Sequence, residues 1–299
     1  MLSSLFKVYS AAFTLTAAIL ALTTPAGTAQ ASETTAAAPT APATGVSTES
    51  VQSSSYADIV KNLYVNYFAT VHGTPLNKLD SPYTLDHNGK NSKNSFNAIN
   101  FDSDVTAAYM VSPDLGFGAA IPFILTPVQG QGVTLGDLGI KAVTKNLFNI
   151  NGVKIFGSLY LQAPTSQASQ DRGMDFGVKS TPAIRYSIPG TRFTIGSWNE
   201  VKWYSGVDYG KTLKLLALPY INYSLTKSLS LNLQYEFETD HMKNDRFFNF
   251  TTYETDIQPG VVWFINSKMM VNPYVQIFTG QKITSDRMAL GAVVSATVL

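Results

Sequence analysis

From Asn62 onward, apolar and polar residues alternate along the chain with a period of two. The clearest stretch sets Leu229, Leu231, Leu233, Tyr235 and Phe237 against Ser230, Asn232, Gln234, Glu236 and Glu238. Successive side chains of a strand leave opposite faces of the sheet, so this segment predicts a strand with one apolar and one polar face. Five short turn signals punctuate the pattern: Ser112-Pro113-Asp114, Asn149-Ile150-Asn151-Gly152, Pro189-Gly190-Thr191, Thr226-Lys227-Ser228 and Asn266-Ser267-Lys268. They begin 37 to 40 residues apart. That interval holds two strands of about ten residues and one longer loop, the repeat of a transmembrane antiparallel up-and-down β-barrel. Reading outward from the turns predicts twelve strands, at 61–72, 97–111, 115–126, 136–147, 153–164, 175–187, 192–204, 212–224, 229–240, 250–265, 269–279 and 287–299. An even count puts both termini on the short-turn side, which is periplasmic in such barrels, with six longer loops outside. The longest of these are 73–96 and 241–249.

Alternation by itself also fits a soluble two-sheet protein, because an apolar face can meet a second sheet as well as lipid. The N-terminus points to export. Lys7 supplies a short positive region, Ala11 to Leu22 an apolar stretch, and Ala29-Gln30-Ala31 the small-x-small pattern before a cut at Ser32. The apolar stretch is too short to span a bilayer as a helix. Residues 1–31 therefore read as a signal peptide. Residues 32–55, almost entirely Ala, Thr, Ser, Pro and Gly, read as a low-complexity periplasmic extension that cannot bury enough apolar surface to order itself. Residues 56–299 read as the barrel. Tyr64, Tyr67, Tyr109, Tyr186, Tyr220, Tyr223, Trp263, Phe264 and Tyr274 fall near strand ends, where interfacial aromatic girdles are expected.

Composition narrows the partners. With 45 % hydrophobic and 14 % charged residues, the 299-residue chain lacks the continuous hydropathy of a helical membrane protein. A net charge of +1 and no run of Lys and Arg argue against nucleic acid. The absence of cysteine excludes disulfides, thiolate metal sites, a cysteine nucleophile and a lipid anchor on an N-terminal cysteine. The expected partners are outer-membrane lipid and small solutes or ions, and no cofactor is expected. Nothing in the sequence sets the oligomeric state.

Turning the apolar positions toward lipid turns the charges inward, since a Lys or Arg facing lipid at the midplane costs roughly 2 to 4 kcal/mol. The inward acidic set is Asp102, Asp104, Glu236, Glu238, Glu254 and Asp256, joined by Asp137, Asp175 and Glu200. The inward basic set is Lys141, Lys154, Lys179, Arg185, Arg192, Lys202 and Lys214. The basic groups come mostly from the segments between 136 and 224, while 229–240 and 250–265 contribute four carboxylates. Two arrangements remain open: a transverse field across a water-filled pore that sets solute preference, or opposite charges paired across a small closed lumen.

Candidate chemistry is sparse. His72, His87 and His241 lie at a strand end or in loops without metal-ligand spacing. No G-x-S-x-G elbow is present, and His87-Asn88-Gly89 lacks a serine two residues on. The pairs Asp102/Asp104, Glu236/Glu238 and Glu254/Asp256 each share a strand face, suited to lining water or to ligating a hard cation such as calcium. No enzyme activity is expected.

The segment Gly136-Asp137-Leu138-Gly139-Ile140-Lys141-Ala142, the turn at Asn151-Gly152, and Leu161-Gln162-Ala163-Pro164-Thr165 together resemble the meta-pathway phenol-degradation group of outer-membrane barrels. The resemblance covers about thirty residues. It implies a Gram-negative outer-membrane barrel with a role in solute passage and carries no catalytic residue over. Such barrels commonly end in an aromatic residue, whereas this chain ends Ser295-Ala296-Thr297-Val298-Leu299. The sequence thus predicts a porin-like channel or facilitator for small polar or charged solutes, the alternative being a non-conducting structural or surface-interaction barrel that presents its loops outside.

Overall fold

A computed structural model describes residues 61–86, 89–90, 98–127, 132–246, 249–279 and 283–297. The signal peptide and the low-complexity extension lie outside the described residues, as do His87 and the last two residues. Fourteen strands are present in the described chain: β1 (Leu63–Pro75), β2 (Asn100–Met110), β3 (Leu115–Thr126), β4 (Gly132–Leu135), β5 (Gly139–Ile150), β6 (Val153–Gln162), β7 (Phe176–Ser180), β8 (Ala183–Ser187), β9 (Phe193–Ser205), β10 (Lys211–Ser224), β11 (Leu229–Met242), β12 (Thr251–Asn266), β13 (Met269–Phe278) and β14 (Met288–Thr297). All pairings are antiparallel, and β1 pairs with both β2 and β14, so the sheet closes on itself. The closed ring itself has no edge strand on which another chain could template.

The fourteen strands make twelve staves. β4 is an outlying strand that pairs only with β3 in the loop before β5. β7 and β8 are one stave in two parts: both pair with β6 and with β9, and the register does not shift between them. The break falls at Thr181-Pro182, where proline has no N–H to donate to the ladder. Backbone bonds from Thr181 N to Ser158 O and from Asn199 N to Pro182 O carry the sheet across it. The five short turn signals fall where consecutive staves meet. At Asn151-Gly152 both residues take positive φ, 52° and 82°, the conformation that Asn-Gly accepts at low cost in a two-residue hairpin.

The longer loops carry the remaining order. A short helix, α1 (Gln167–Asp171), sits in the β6–β7 connection, with the Ser166 hydroxyl accepting from Ser169 N as its N-cap. In the β1–β2 loop, Leu85 packs against Phe278 and Ala289, forming a small apolar cluster at the long-loop end.

Which face is inner follows from one contact. β1 and β9 lie six staves apart in a twelve-stave ring, yet the rings of Phe68 and Trp198 stack at 6.1 Å between centroids and 16° between planes. Only side chains that enter the lumen can meet in this way. The opposite face carries exposed apolar groups from every quarter of the barrel, among them Phe117, Ile140 (66 % exposed), Leu161, Ile195, Trp203, Ile221, Leu231, Leu233, Trp263 and Leu290. The usual arrangement of a water-soluble protein is inverted, because the buried interior is largely polar: Thr106, Glu200, Asn232, Glu238, Asp256, Gln258 and Gln276 are all buried.

The inner face also corrects part of the aromatic assignment. Tyr64, Tyr220 and Tyr274 point into the lumen and do not belong to an outer girdle. Tyr274 shares its face with Asn272 and Gln276, and its ring occupies space left by Gly291 on β14, where an added Cβ would come within 2.4 Å of it, while at Gly260 on β12 an added Cβ would come within 2.8 Å of the Tyr274 Cβ. Tyr109 and Trp263 are exposed on the outside, whereas Phe264, also exposed, has the inner-face parity of Gln258 and Gly260 at the short-turn end of β12.

Candidate functional site

The lumen is the candidate site, and cross-strand register places its charges. On the β9–β10–β11 wall, Lys202 stands opposite Lys214, which stands opposite Asp240, and Glu200 stands opposite Leu216, which stands opposite Glu238. Lys214 Nζ reaches Glu238 at 2.7 Å and Glu200 at 4.0 Å; Lys179 Nζ reaches Glu200 at 2.9 Å. Lys211 Nζ reaches Asp240 at 2.7 Å and Glu238 at 3.5 Å, and lies 3.8 Å from the Tyr253 ring centroid. These groups form a continuous chain of alternating charge over β7, β9, β10 and β11.

On the other side, Lys141 of β5 reaches past β3 to Asp104 of β2 at 3.0 Å and donates to Thr106 Oγ1 at 2.9 Å. It can span the intervening strand because its neighbour there is Gly118, and β5 lies close to β6 at Gly139, where an added Cβ would fall 1.9 Å from Leu161 O. Asp102, two residues from Asp104 on the same face, is exposed.

The β11–β12–β13 wall is built differently. Glu236 stands opposite Asp256, and Glu238 opposite Glu254. Among the described residues, no Lys or Arg comes within 4.0 Å of Glu236, Glu254 or Asp256. Their partners are side-chain amides. Gln258 Nε2 donates to Glu236 at 2.7 Å, while Gln276 Nε2 donates to Glu254 at 2.6 Å and Asp256 at 2.7 Å. Gln234 Nε2 donates to Gln258 Oε1 at 3.0 Å, orienting the first of these amides. Asp256 is fully buried, and its Oδ1 has no hydrogen-bond partner.

Three of the remaining basic residues gather toward the short-turn end, and Lys202 lies toward the other end of β9. Lys154 and Arg185 stand opposite one another, both exposed, and Arg192 lies in the β8–β9 turn, one residue before β9. Lys202 Nζ lies 5.0 Å from the Tyr204 ring centroid. Of the other acids, Asp137 is buried just before β5 and holds the β6–β7 loop, accepting from Ser166 N at 3.0 Å and Ser169 Oγ at 2.6 Å. Asp175 is exposed, immediately before β7. Among the described residues, no group of three His, Cys, Asp or Glu side chains is placed to hold a metal ion. His241 Nδ1 lies 2.7 Å from Thr212 Oγ1, and its ring lies edge-on to Phe250.

Several members of this site stand outside the sequence-derived set. Asp240 shares its face with Glu236 and Glu238, so alternation alone could have included it. Lys211 has the wrong parity and joins the network only because the β10–β11 register shifts between Lys211 and Leu213, which no local pattern announces. Phe68 and Trp198 sit at unremarkable alternating positions, and their meeting depends on how the barrel closes. A circular twelve-strand barrel, with strands about 4.8 Å apart and tilted by about 40°, would measure roughly 24 Å across. A Phe and a Trp cannot bridge that distance, so the lumen is oval, narrowed between β1 and β9.

A cavity of about 310 Å³ opens on one side of this aromatic pair. Trp198 lines it together with Tyr64, Asn66, Thr106, Lys141, Lys145, Phe156, Ser158, Thr181 and Thr297, with no Asp or Glu among its lining residues.

No family model and no curated protein sequence matches the chain. Among solved structures, an outer-membrane channel from Pseudomonas putida F1 aligns over 79 % of this chain and 94 % of its own, at 13 % identity and a TM-score of 0.47. The NanC porin aligns over 79 % of this chain and all of its own, at 6 % identity and a TM-score of 0.44. Salmonella typhi OmpF, in complex with daunomycin, aligns over 79 % and 96 % at 10 % identity and a TM-score of 0.35.

Proposed function

We propose that the chain is an outer-membrane β-barrel that acts as a porin-like channel for passive passage of small polar or charged solutes. The observation that carries this reading is the inversion of polarity across one closed wall: exposed apolar side chains outside, and ionised, amide and hydroxyl side chains inside. A face such as Leu229, Leu231, Leu233 and Tyr235 suits hydrocarbon and not water, and a polar lumen suits solutes that hydrocarbon excludes. In this reading the predicted signal peptide directs export. Asp102, Asp104, Glu236 and Glu254, with Lys141, Lys154, Lys179, Arg185, Lys202 and Lys214, are the side chains a passing solute meets, Glu238 and Asp256 are buried in the wall behind them, and Arg192 stands at the short-turn mouth.

The Phe68–Trp198 contact supports a second reading, a non-conducting barrel that presents its loops, because it narrows the lumen to the width of two rings. One experiment separates them. The refolded protein is inserted into planar bilayers beside Phe68→Ala and Trp198→Ala variants, with heat-modifiable gel mobility as the check on folding. Discrete conductance steps that grow several-fold in both variants support a channel constricted at this pair. Folded, inserted proteins that conduct in none of the three forms establish the non-conducting barrel.

A further inference from the structure

The cavity beside Trp198 has a one-sided chemistry. Among its lining residues Lys141 and Lys145 are charged, and no carboxylate faces it. Lys141 is shared with Asp104. Lys145 is not: its Nζ lies over the Tyr64 ring, 4.8 Å from the centroid, and among the described residues no Asp or Glu lies within 4.0 Å of it. An ammonium on an aromatic face is held in place without being neutralised, so it keeps its charge for a ligand. The other walls are hydroxyls and amides, with Asn66, Ser158 and Thr181 prominent, and the flat faces of Trp198 and Phe156 complete the lining.

The surroundings reinforce the sign. Lys154 and Arg185 face one another on the inner wall nearer the short turns, and those turns carry Arg192, Lys227 and Lys268 against the single acid Asp114 among the described residues. A low-dielectric mouth lined by one sign of charge concentrates ions of the other sign. Glu236, Glu254 and Asp256 stand on β11 and β12, strands that contribute nothing to this cavity, and Asp102 is not among its lining residues.

We infer that this vestibule binds a small organic anion bearing hydroxyl groups, a hydroxy-carboxylate. Its carboxylate sits at Lys141 and Lys145, its hydroxyls meet Asn66, Ser158 and Thr181, and its less polar face lies on the Trp198 indole. The volume, at the low end of the roughly 300–1,000 Å³ range of ligand pockets, admits one such molecule and not a chain of them. The site's role in transport rests on the channel reading above, whereas binding to it does not.

The chain has three tryptophans, and Trp203 and Trp263 are on the outer face, so Trp203→Phe/Trp263→Phe leaves Trp198 as the sole reporter. In this background, refolded in neutral detergent, iodide is expected to quench Trp198 several-fold more than caesium does. Gluconate is expected to protect it at concentrations where sorbitol does not. Lys145→Gln should at least halve the iodide preference and weaken gluconate protection, and Lys145→Glu should reverse the preference, both with unchanged heat-modifiable mobility. Equal quenching by the two ions, or equal protection by gluconate and sorbitol, overturns the assignment. Bilayer recordings on the same preparation keep the two ideas apart. Anion-selective quenching with no conductance sinks the channel and leaves the site, whereas conductance without any gluconate effect sinks the site and leaves the channel.

Discussion

Two sets of carboxylates on adjoining walls of one lumen are held in opposite ways. Glu200, Glu238 and Asp240 lie within reach of Lys179, Lys211 and Lys214, each lysine serving one or two acids. Glu236, Glu254 and Asp256, as near as one register step away, have only Gln258 and Gln276. The first set is a structural clasp: ammonium groups offset the desolvation of the acids and tie four staves together. The second is a crowded group of carboxyls whose oxygens are satisfied by neutral amides and by no cation. Lysine-paired and amide-held carboxyls therefore occur side by side, on adjoining strands of the same sheet.

The comparison can be broken most severely at its hub. Lys214→Met leaves Glu238 and Glu200 with one lysine partner each, so it should lower the barrel's stability by about 3 kcal/mol, since two buried acids lose the cation they share. The midpoint of urea unfolding, followed by gel mobility, measures the loss. On the amide-held side, Gln276→Leu removes the donor shared by Glu254 and Asp256 and should cost about 2 kcal/mol in the same assay, because hydrogen bonds to charged groups are worth roughly 1.5–3 kcal/mol. Lys141→Met should cost only about 1 kcal/mol: its bond to Asp104 is partly open to water and correspondingly screened. The sharpest difference is one of sign. Glu254→Gln relieves the crowding of three carboxyls that have no cation partner and should raise stability at neutral pH by less than about 1 kcal/mol, whereas Glu238→Gln, in the clasp, should lower it. A loss on both substitutions would show that the two walls are held alike.

The segment that carries the family resemblance gains a physical content from the fold. Asp137 caps and anchors the loop containing α1, Thr165 Oγ1 accepts from Leu138 N at 2.8 Å, Gly139 lets β5 approach β6, and Lys141 crosses to Asp104. One short run thus sets a loop, a close strand contact and an ion pair. Its Gly, Asp and Lys each have a geometric role in the barrel wall.

What the sequence determined by itself was everything that follows from the pleat and the turn. Because side chains alternate strictly along a strand, Leu229 to Glu238 already fixed which residues of β11 share a face. Because Asn151-Gly152 accepts positive φ, the chain already marked where β5 turns into β6. The same rule put Tyr274 with Asn272 and Gln276, and only the pull of an aromatic near a strand end obscured it. The tertiary structure alone decided the partners: Lys214 with Glu238, Gln276 with Asp256, Lys211 brought in by a register shift, and Phe68 against Trp198. Facing is a local property of each strand's backbone. Partnership depends on stagger, closure and the oval section of the whole ring, which no segment of fewer than twelve staves possesses.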